Sequence, residues 1–193
     1  MTTSGSALDK SKPNMPLSGL SNDGYSKGDV ATATCYCGAV QLEFPTEAPS
    51  LLDTFVCNCF DCYKITASMF ASNFIVDDRY LKHNRGQENL TSFRQNHTIA
   101  RLESTTSERY HMINCFCKTC GTLMYRVPEA FPGQSILRIG TVDDFSLMET
   151  KLKPRREQFV HSRVSWLKGV DGPKKSERLN EDTLASAGGV GVQ

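Results

Sequence analysis

Hydrophobic and polar positions alternate most clearly over residues 39–44, "AVQLEF", where Val40, Leu42 and Phe44 fall on one side and Gln41 and Glu43 on the other. Such a period of two is that of a half-buried strand. Pro45 ends it, since proline cannot donate to a ladder. "LLDTFV" at 51–56 and "SMFASNFIV" at 68–76 are apolar runs rich in β-branched and aromatic residues. "ERYHMINCF" at 108–116, "TLMYRV" at 122–127 and "SILRIGTV" at 135–142 complete a set of short predicted strands. The polar stretch 78–94, "DRYLKHNRGQENLTSFR", reads as a hairpin or loop. Helical signals are short; the best is "DDFSLME" at 143–149, with Asp143 or Asp144 as the cap. Many short strands separated by turn residues predict a mainly β fold of twisted antiparallel sheets.

Outside this region the pattern fades. Residues 1–29 are rich in Ser, Gly, Asn, Lys and Pro, and 170–193 end in small residues, so both read as flexible tails around one domain spanning 30–169. The chain of 193 residues is long enough to bury a core, and a hydrophobic content of 39% is ordinary for a globular protein. A net charge of +1 sets up no global field toward nucleic acid or an anionic membrane. No run approaches a membrane span, and the first residues lack the apolar core of a secretory signal, so a reducing, cytoplasmic setting is expected.

That setting changes the meaning of eight cysteines. In a short secreted chain they would suggest disulfides. Here they cluster as "CYCG" (35–38), "CNCFDC" (57–62) and "CFCKTC" (115–120), and cysteines one residue apart are poor disulfide partners. Clustered thiolates suit a soft-ligand metal, zinc above all. Cys37 and Cys120 are each followed by glycine, which accepts the positive φ that a zinc knuckle's turn requires. Cys35, Cys37, Cys117 and Cys120 thus form a natural four-sulfur structural set.

"CNCFDC" has no such glycine. Cys57, Cys59 and Cys62 supply three thiolates from one tight loop, which Asn58 and Asp61 help to bend. Three protein ligands leave a fourth position for water or substrate, the pattern of catalytic zinc. Two alternatives stay open: Cys115 could close the site as a fourth ligand or be a spare buried cysteine, and His83, His97, His111 or His161 could close it instead.

"CYCGAVQLEF", "CNCFDCYKITASMF", "CFCKTCGTLMYRV", "GTVDDF" and "FVHSRVSWL", in that order over about residues 30–168, resemble the glutathione-dependent formaldehyde-activating enzyme family, which also includes centromere protein V. The resemblance implies a β-tent fold and two zinc ions. One would be structural, on Cys35, Cys37, Cys117 and Cys120; the other catalytic, on Cys57, Cys59 and Cys62. It also implies a carbon–sulfur lyase activity, the reversible joining of glutathione to formaldehyde. Relatives often carry a histidine before the "FV" of the closing segment; here Glu157 and Gln158 stand there and His161 follows, so the substrate end of the pocket is expected to differ.

On that reading glutathione is substrate or co-substrate, its thiol activated beside the middle zinc. Asp61, Tyr63 and His161 are the candidate proton carriers. Lys64, or Lys151, Lys153, Arg155 and Arg156 of "KLKPRR", could pair with its carboxylates. Trp166 is expected to pack into the core. The electrophile could be a small aldehyde or a larger glutathione adduct. The competing reading is a non-catalytic zinc module that binds a protein or chromatin partner, against which the absence of a basic arm counts.

Overall fold

The structure, a computed structural model, describes residues 21–98, 110–172 and 174–176. It is mainly β, as expected, with twelve strands in two sheets among the described residues. The smaller sheet has the order β1-β2-β3-β6, from Ser26–Lys27 (β1), Val30–Thr34 (β2), Gln41–Pro45 (β3) and Lys82–Arg85 (β6). The larger draws on Leu51–Cys57 (β4), Ala71–Asp77 (β5), Leu90–Gln95 (β7), Met112–Cys117 (β8), Leu123–Pro128 (β9), Gln134–Arg138 (β10), Arg156–Gln158 (β11) and Lys174–Ser176 (β12). Its order is β12-β11-β4-β5-β10-β9-β8-β7. Pairing is antiparallel throughout, except that β11 runs parallel to both β4 and β12. Among the described residues, no helix is long and apolar enough to cross a membrane.

Alternation along the strands assigns two faces to the large sheet. Phe74, Val76 and Leu137 face the small sheet, joined by Met124 at the register shift in β9, and Ala31, Ala33, Leu42 and Phe44 of the small sheet, with Val40 just before β3, meet them in the main core. Phe44 and Phe74 stack tilted, ring centroids 4.6 Å apart. The predicted inner face of 39–44 is therefore the buried one. The opposite face carries a second cluster of Phe55, Cys57, Ala71 and Ile75, covered by Cys62 and flanked by Phe159. Buried on both faces, β4 and β5 read as continuous apolar runs rather than alternating ones.

Three local expectations are corrected. Residues 78–94 are not a hairpin: β6 joins the small sheet beside β3, and β7 joins the large one beside β8. Residues Phe60–Thr66 (α1) form a helix where a bent loop was expected. Trp166 is 71% exposed rather than packed in the core, because "RVSWL" runs over the surface as turn and coil. The expected short helix exists as Ser146–Glu149 (α2), but its N-cap is Phe145, which offers no side-chain acceptor; Asp144, one residue earlier, accepts from the Ser146 N–H (3.0 Å) and hydroxyl (2.7 Å). Asp143 turns instead to the hydroxyls of Thr32 and Thr34. Ser26 and Lys27 of the expected N-terminal tail pair with β2, and Lys174–Ser176 of the expected C-terminal tail pair with β11. Most of both tails lies outside the described residues.

Candidate metal centres

Two knuckle-like turns bring the first sulfur set together. In one, the Gly38 N–H donates to the Cys35 carbonyl (2.9 Å) and the Val40 N–H to Cys35 Sγ (3.2 Å), with Gly38 at φ +79°. In the other, the Gly121 N–H donates to the Cys117 carbonyl (2.8 Å), with Gly121 at φ +74°. Both glycines hold the left-handed backbone that their positions demand. Sγ–Sγ separations are 3.6 Å for Cys35–Cys37 and 3.7 Å for Cys37–Cys117. Sulfurs at about 2.3 Å around one tetrahedral ion lie about 3.8 Å apart. The Cys35, Cys37, Cys117, Cys120 group therefore fits a metal without rearrangement. Asn89 Nδ2 donates to Cys117 Sγ (3.4 Å), orienting one ligand from outside the turns.

The second set, Cys57, Cys59 and Cys62, also places its sulfurs within 4.8 Å of one another. Cys57 ends β4, Cys59 caps α1, and Cys62 lies in that helix's first turn. Cys59 Sγ accepts from the Cys62 N–H (3.4 Å), so a sulfur does the work usually given to a Ser or Asp oxygen. Asn58 anchors the turn between them. Its N–H donates to the Gln158 carbonyl, and its Nδ2 donates to that carbonyl and to Glu157 Oε1, each at 3.1 Å. Glu157 is wholly buried and accepts from Arg163 Nη1 at 2.8 Å. Glu157 and Gln158 thus brace the cysteine loop from β11.

No described histidine and no fourth cysteine joins the second group. Cys115 is buried on β8 opposite Tyr125, outside both clusters. His83 Nε2 meets the Tyr125 hydroxyl at 3.3 Å, and His111 sits beside Glu129 at 3.7 Å. His97 is exposed, one residue before the described segment ends at Thr98.

The other expected residues scatter. Asp61 Oδ2 accepts from the Thr98 hydroxyl (2.6 Å). The Tyr63 hydroxyl donates to the Ser162 carbonyl (2.6 Å), and burial raises its pKa. His161 is exposed on the Val160–Ser162 turn, its ring 6.3 Å from that of Phe159. Lys64 is exposed on α1. Lys151, Lys153 and Arg155 line a cleft of about 660 Å³ that none of the cluster cysteines borders. Lys151 is paired there with Glu47 (2.5 Å), and Arg156 is paired with Asp53.

Two arginines were missed by the sequence reading. On the face that carries Cys57, Asn73 pairs across strands with Phe55 and with Arg138, while Ile136 pairs with Arg126, which in turn pairs with Asn114. Arg126 and Arg138 are each only 6% exposed. Arg126 Nη1 donates to Cys62 Sγ at 3.7 Å, and Arg138 Nη1 donates to Asn73 Oδ1. Hydrogen bonds from Cys57 and Cys59 hold the Cys62 thiol well below its usual range, and the two guanidinium charges add to this against the effect of burial. Burial pulls Arg138 down to about 10, which still leaves it a cation at neutral pH. The available signal was a charge inside an apolar strand, "MYRV" and "ILRI".

A cleft of about 420 Å³ opens beside Arg138, lined also by Thr66, Ala71, Leu123 and Gly140. A solved structure of a Rhodobacter sphaeroides protein aligns over 75% of this chain and 98% of its own, at 20% identity and a TM-score of 0.43. The model of the family described as glutathione-dependent formaldehyde-activating enzyme matches residues 30–162, a stretch that contains every cluster cysteine. The chain therefore belongs to the glutathione-dependent formaldehyde-activating enzyme family.

Proposed function

We propose that the protein is a zinc-dependent carbon–sulfur lyase that makes or breaks the adduct of glutathione with an aldehyde or other small electrophile. The observation that carries this reading is the three-sulfur set of Cys57, Cys59 and Cys62, which no fourth described ligand completes. An all-thiolate donor set suits zinc, one ion at each cluster, and an incomplete set leaves room for a guest. When bound there, zinc supplies the charge that lowers the pKa of a neighbouring thiol.

The chain's own residues do the rest. The glutathione sulfur, as thiolate, adds to the carbonyl carbon; a C–S bond forms and the carbonyl π pair moves to oxygen. The proton lost by the thiol returns to that oxygen, giving the hydroxyalkyl thioether, and the reverse path expels the thiolate. Asp61 and His161 are the proton carriers in this reading. Tyr63 has its hydroxyl committed to the Ser162 carbonyl, which suits it to holding the Val160–Ser162 turn against α1. In this reading Lys64, exposed on the helix that carries Cys62, pairs with a glutathione carboxylate, whereas Lys151 and Arg156 already hold carboxylates of their own. In this reading the body of the thiol lies in the cleft beside Arg138, whose lining includes Ala71, the cross-strand partner of Cys57, but none of the cluster cysteines.

The test is the rate at which glutathione and formaldehyde approach equilibrium with their adduct, followed by exchange NMR. Wild-type protein should accelerate the exchange, and Cys59→Ser should not. Serine preserves the cap of α1, so its melting curve should stay cooperative. Equal rates with and without wild-type protein would end this reading for formaldehyde. The same assay run with larger aldehydes defines the electrophile.

A further inference from the structure

Arg126 and Arg138 lie on the sheet face beneath the three-sulfur cluster, nearly removed from solvent. A buried cation is costly unless an anion meets it. Among the described residues, neither makes an ion pair with a carboxylate. In the other buried pairs, Arg156 with Asp53 and Arg163 with Glu157, the charges cancel within each pair. The Nε groups of both arginines, and Nη2 of Arg138, are buried without a hydrogen-bond partner. Their recorded partners are neutral or sulfur: Asn73 for Arg138 and Cys62 for Arg126.

Charge counting then becomes informative. A divalent ion among three thiolates carries one surplus negative charge. Two guanidiniums over-balance it by one positive charge, and a single monoanion in the remaining position makes the nest neutral. Water or imidazole would leave the surplus buried.

We infer that Arg126 and Arg138 are positioning residues that select the charge of the fourth ligand, admitting a thiolate in preference to a neutral donor. The inference rests on the thiol-adduct reading and deepens it. The pair acts through the cluster's charge, so it should favour any small thiolate, including one that carries no carboxylate. It also explains why a strand core tolerates two arginines that each keep buried N–H groups without an acceptor.

The test uses the full chain loaded with cobalt(II), whose sulfur charge-transfer and d–d bands report a change in the ligand set. Two probes are titrated at fixed pH: 2-mercaptoethanol, an uncharged thiol that binds as the anion, and imidazole, a neutral donor. Arg126→Gln and Arg138→Gln should each weaken the thiol by about tenfold or more, with imidazole unchanged or tighter. Arg126→Lys keeps the charge and should keep the thiol-to-imidazole preference to within a few-fold. An equal shift for both probes in the Gln variants would overturn the inference, as would weakening confined to glutathione, because the arginines would then be reading its carboxylates. Should the Gln variants fail to hold cobalt, a lost preference in Arg126→Lys overturns the idea and a retained one supports it. If wild-type cobalt protein shows no thiol-dependent band at all, the failure belongs to the proposed function and not to the arginines.

Discussion

At the residue scale, Asn58 shows how a small polar side chain positions a site without touching its chemistry. Wholly buried, it ties the Cys57–Cys59 turn to Glu157 and Gln158 through three hydrogen bonds. Asn58→Ala keeps the backbone bond but removes both side-chain donors, leaving Glu157 Oε1 to Arg163 alone. A loss of about 1–3 kcal/mol is expected, measured by denaturant unfolding. The same substitution should loosen the middle ion more than the four-sulfur one, a difference that competition with a graded chelator reads directly. Cys115 gives the opposite expectation. It is buried opposite Tyr125 and belongs to neither cluster, so Cys115→Ser should leave metal content per chain unchanged, as checked by elemental analysis. Loss of one ion on that change would make Cys115 a ligand and close the middle site. The sequence could pose the Cys115 question but not answer it, because the answer depends on which sulfurs the strand register brings together.

At the scale of elements, α1 was the hardest piece to read. "FDCYKIT" is only seven residues long, its cap is a cysteine, and the residue after it, Ala67, adopts the left-handed conformation at φ +51° where glycine is usual. Propensity and cap rules were therefore silent; sulfur geometry and the second apolar cluster hold the helix instead. The β3 strand was legible because its inner face alternates strictly. Its partner β6 was not, since "KHNR" is polar and its place is set by what it pairs with. Glu43 of β3 bridges that pairing. Its carboxylate accepts from Lys82 Nζ (2.7 Å) and from the Tyr25 hydroxyl, and these bonds, with the lysine charge adding to them, hold its pKa below the usual value against the effect of burial. A depressed folded pKa gives stability that is present above the unfolded value, about 4.3 for a glutamate, and lost as pH falls through the folded one. Glu43→Gln should therefore lower the melting temperature at pH 7, and the gap to wild type should narrow as the pH is taken below 4. A gap that stays constant over that range would assign the effect to packing.

Across the whole molecule, the two clusters tie different stretches of chain, so ions held at them are expected to do different work. Cys35 and Cys37 follow β2, while Cys117 and Cys120 flank the turn into β9. Cys35 and Cys117 also belong to the main core. An ion held there would link the two sheets and close a long loop, restricting the unfolded chain and adding binding free energy to folding. The middle set spans only residues 57–62, packs on the second, smaller apolar cluster, and closes almost no loop. The grouping of Cys35, Cys37, Cys117 and Cys120 was already legible in the glycines after Cys37 and Cys120. The arginines beneath the middle set were not, since strand register rather than spacing puts them there. Cys37→Ser and Cys59→Ser should accordingly differ in kind. The first should lower the thermal midpoint steeply and broaden the transition; the second should remove one ion while moving the midpoint little. Chelator added to wild-type protein should reproduce this order, releasing the middle ion first with the β-sheet circular dichroism unchanged and the second only as that signal collapses. Simultaneous release, or a Cys59→Ser midpoint as low as that of Cys37→Ser, would mean that the middle ion is also a staple, and its incomplete ligand set would no longer argue for chemistry there.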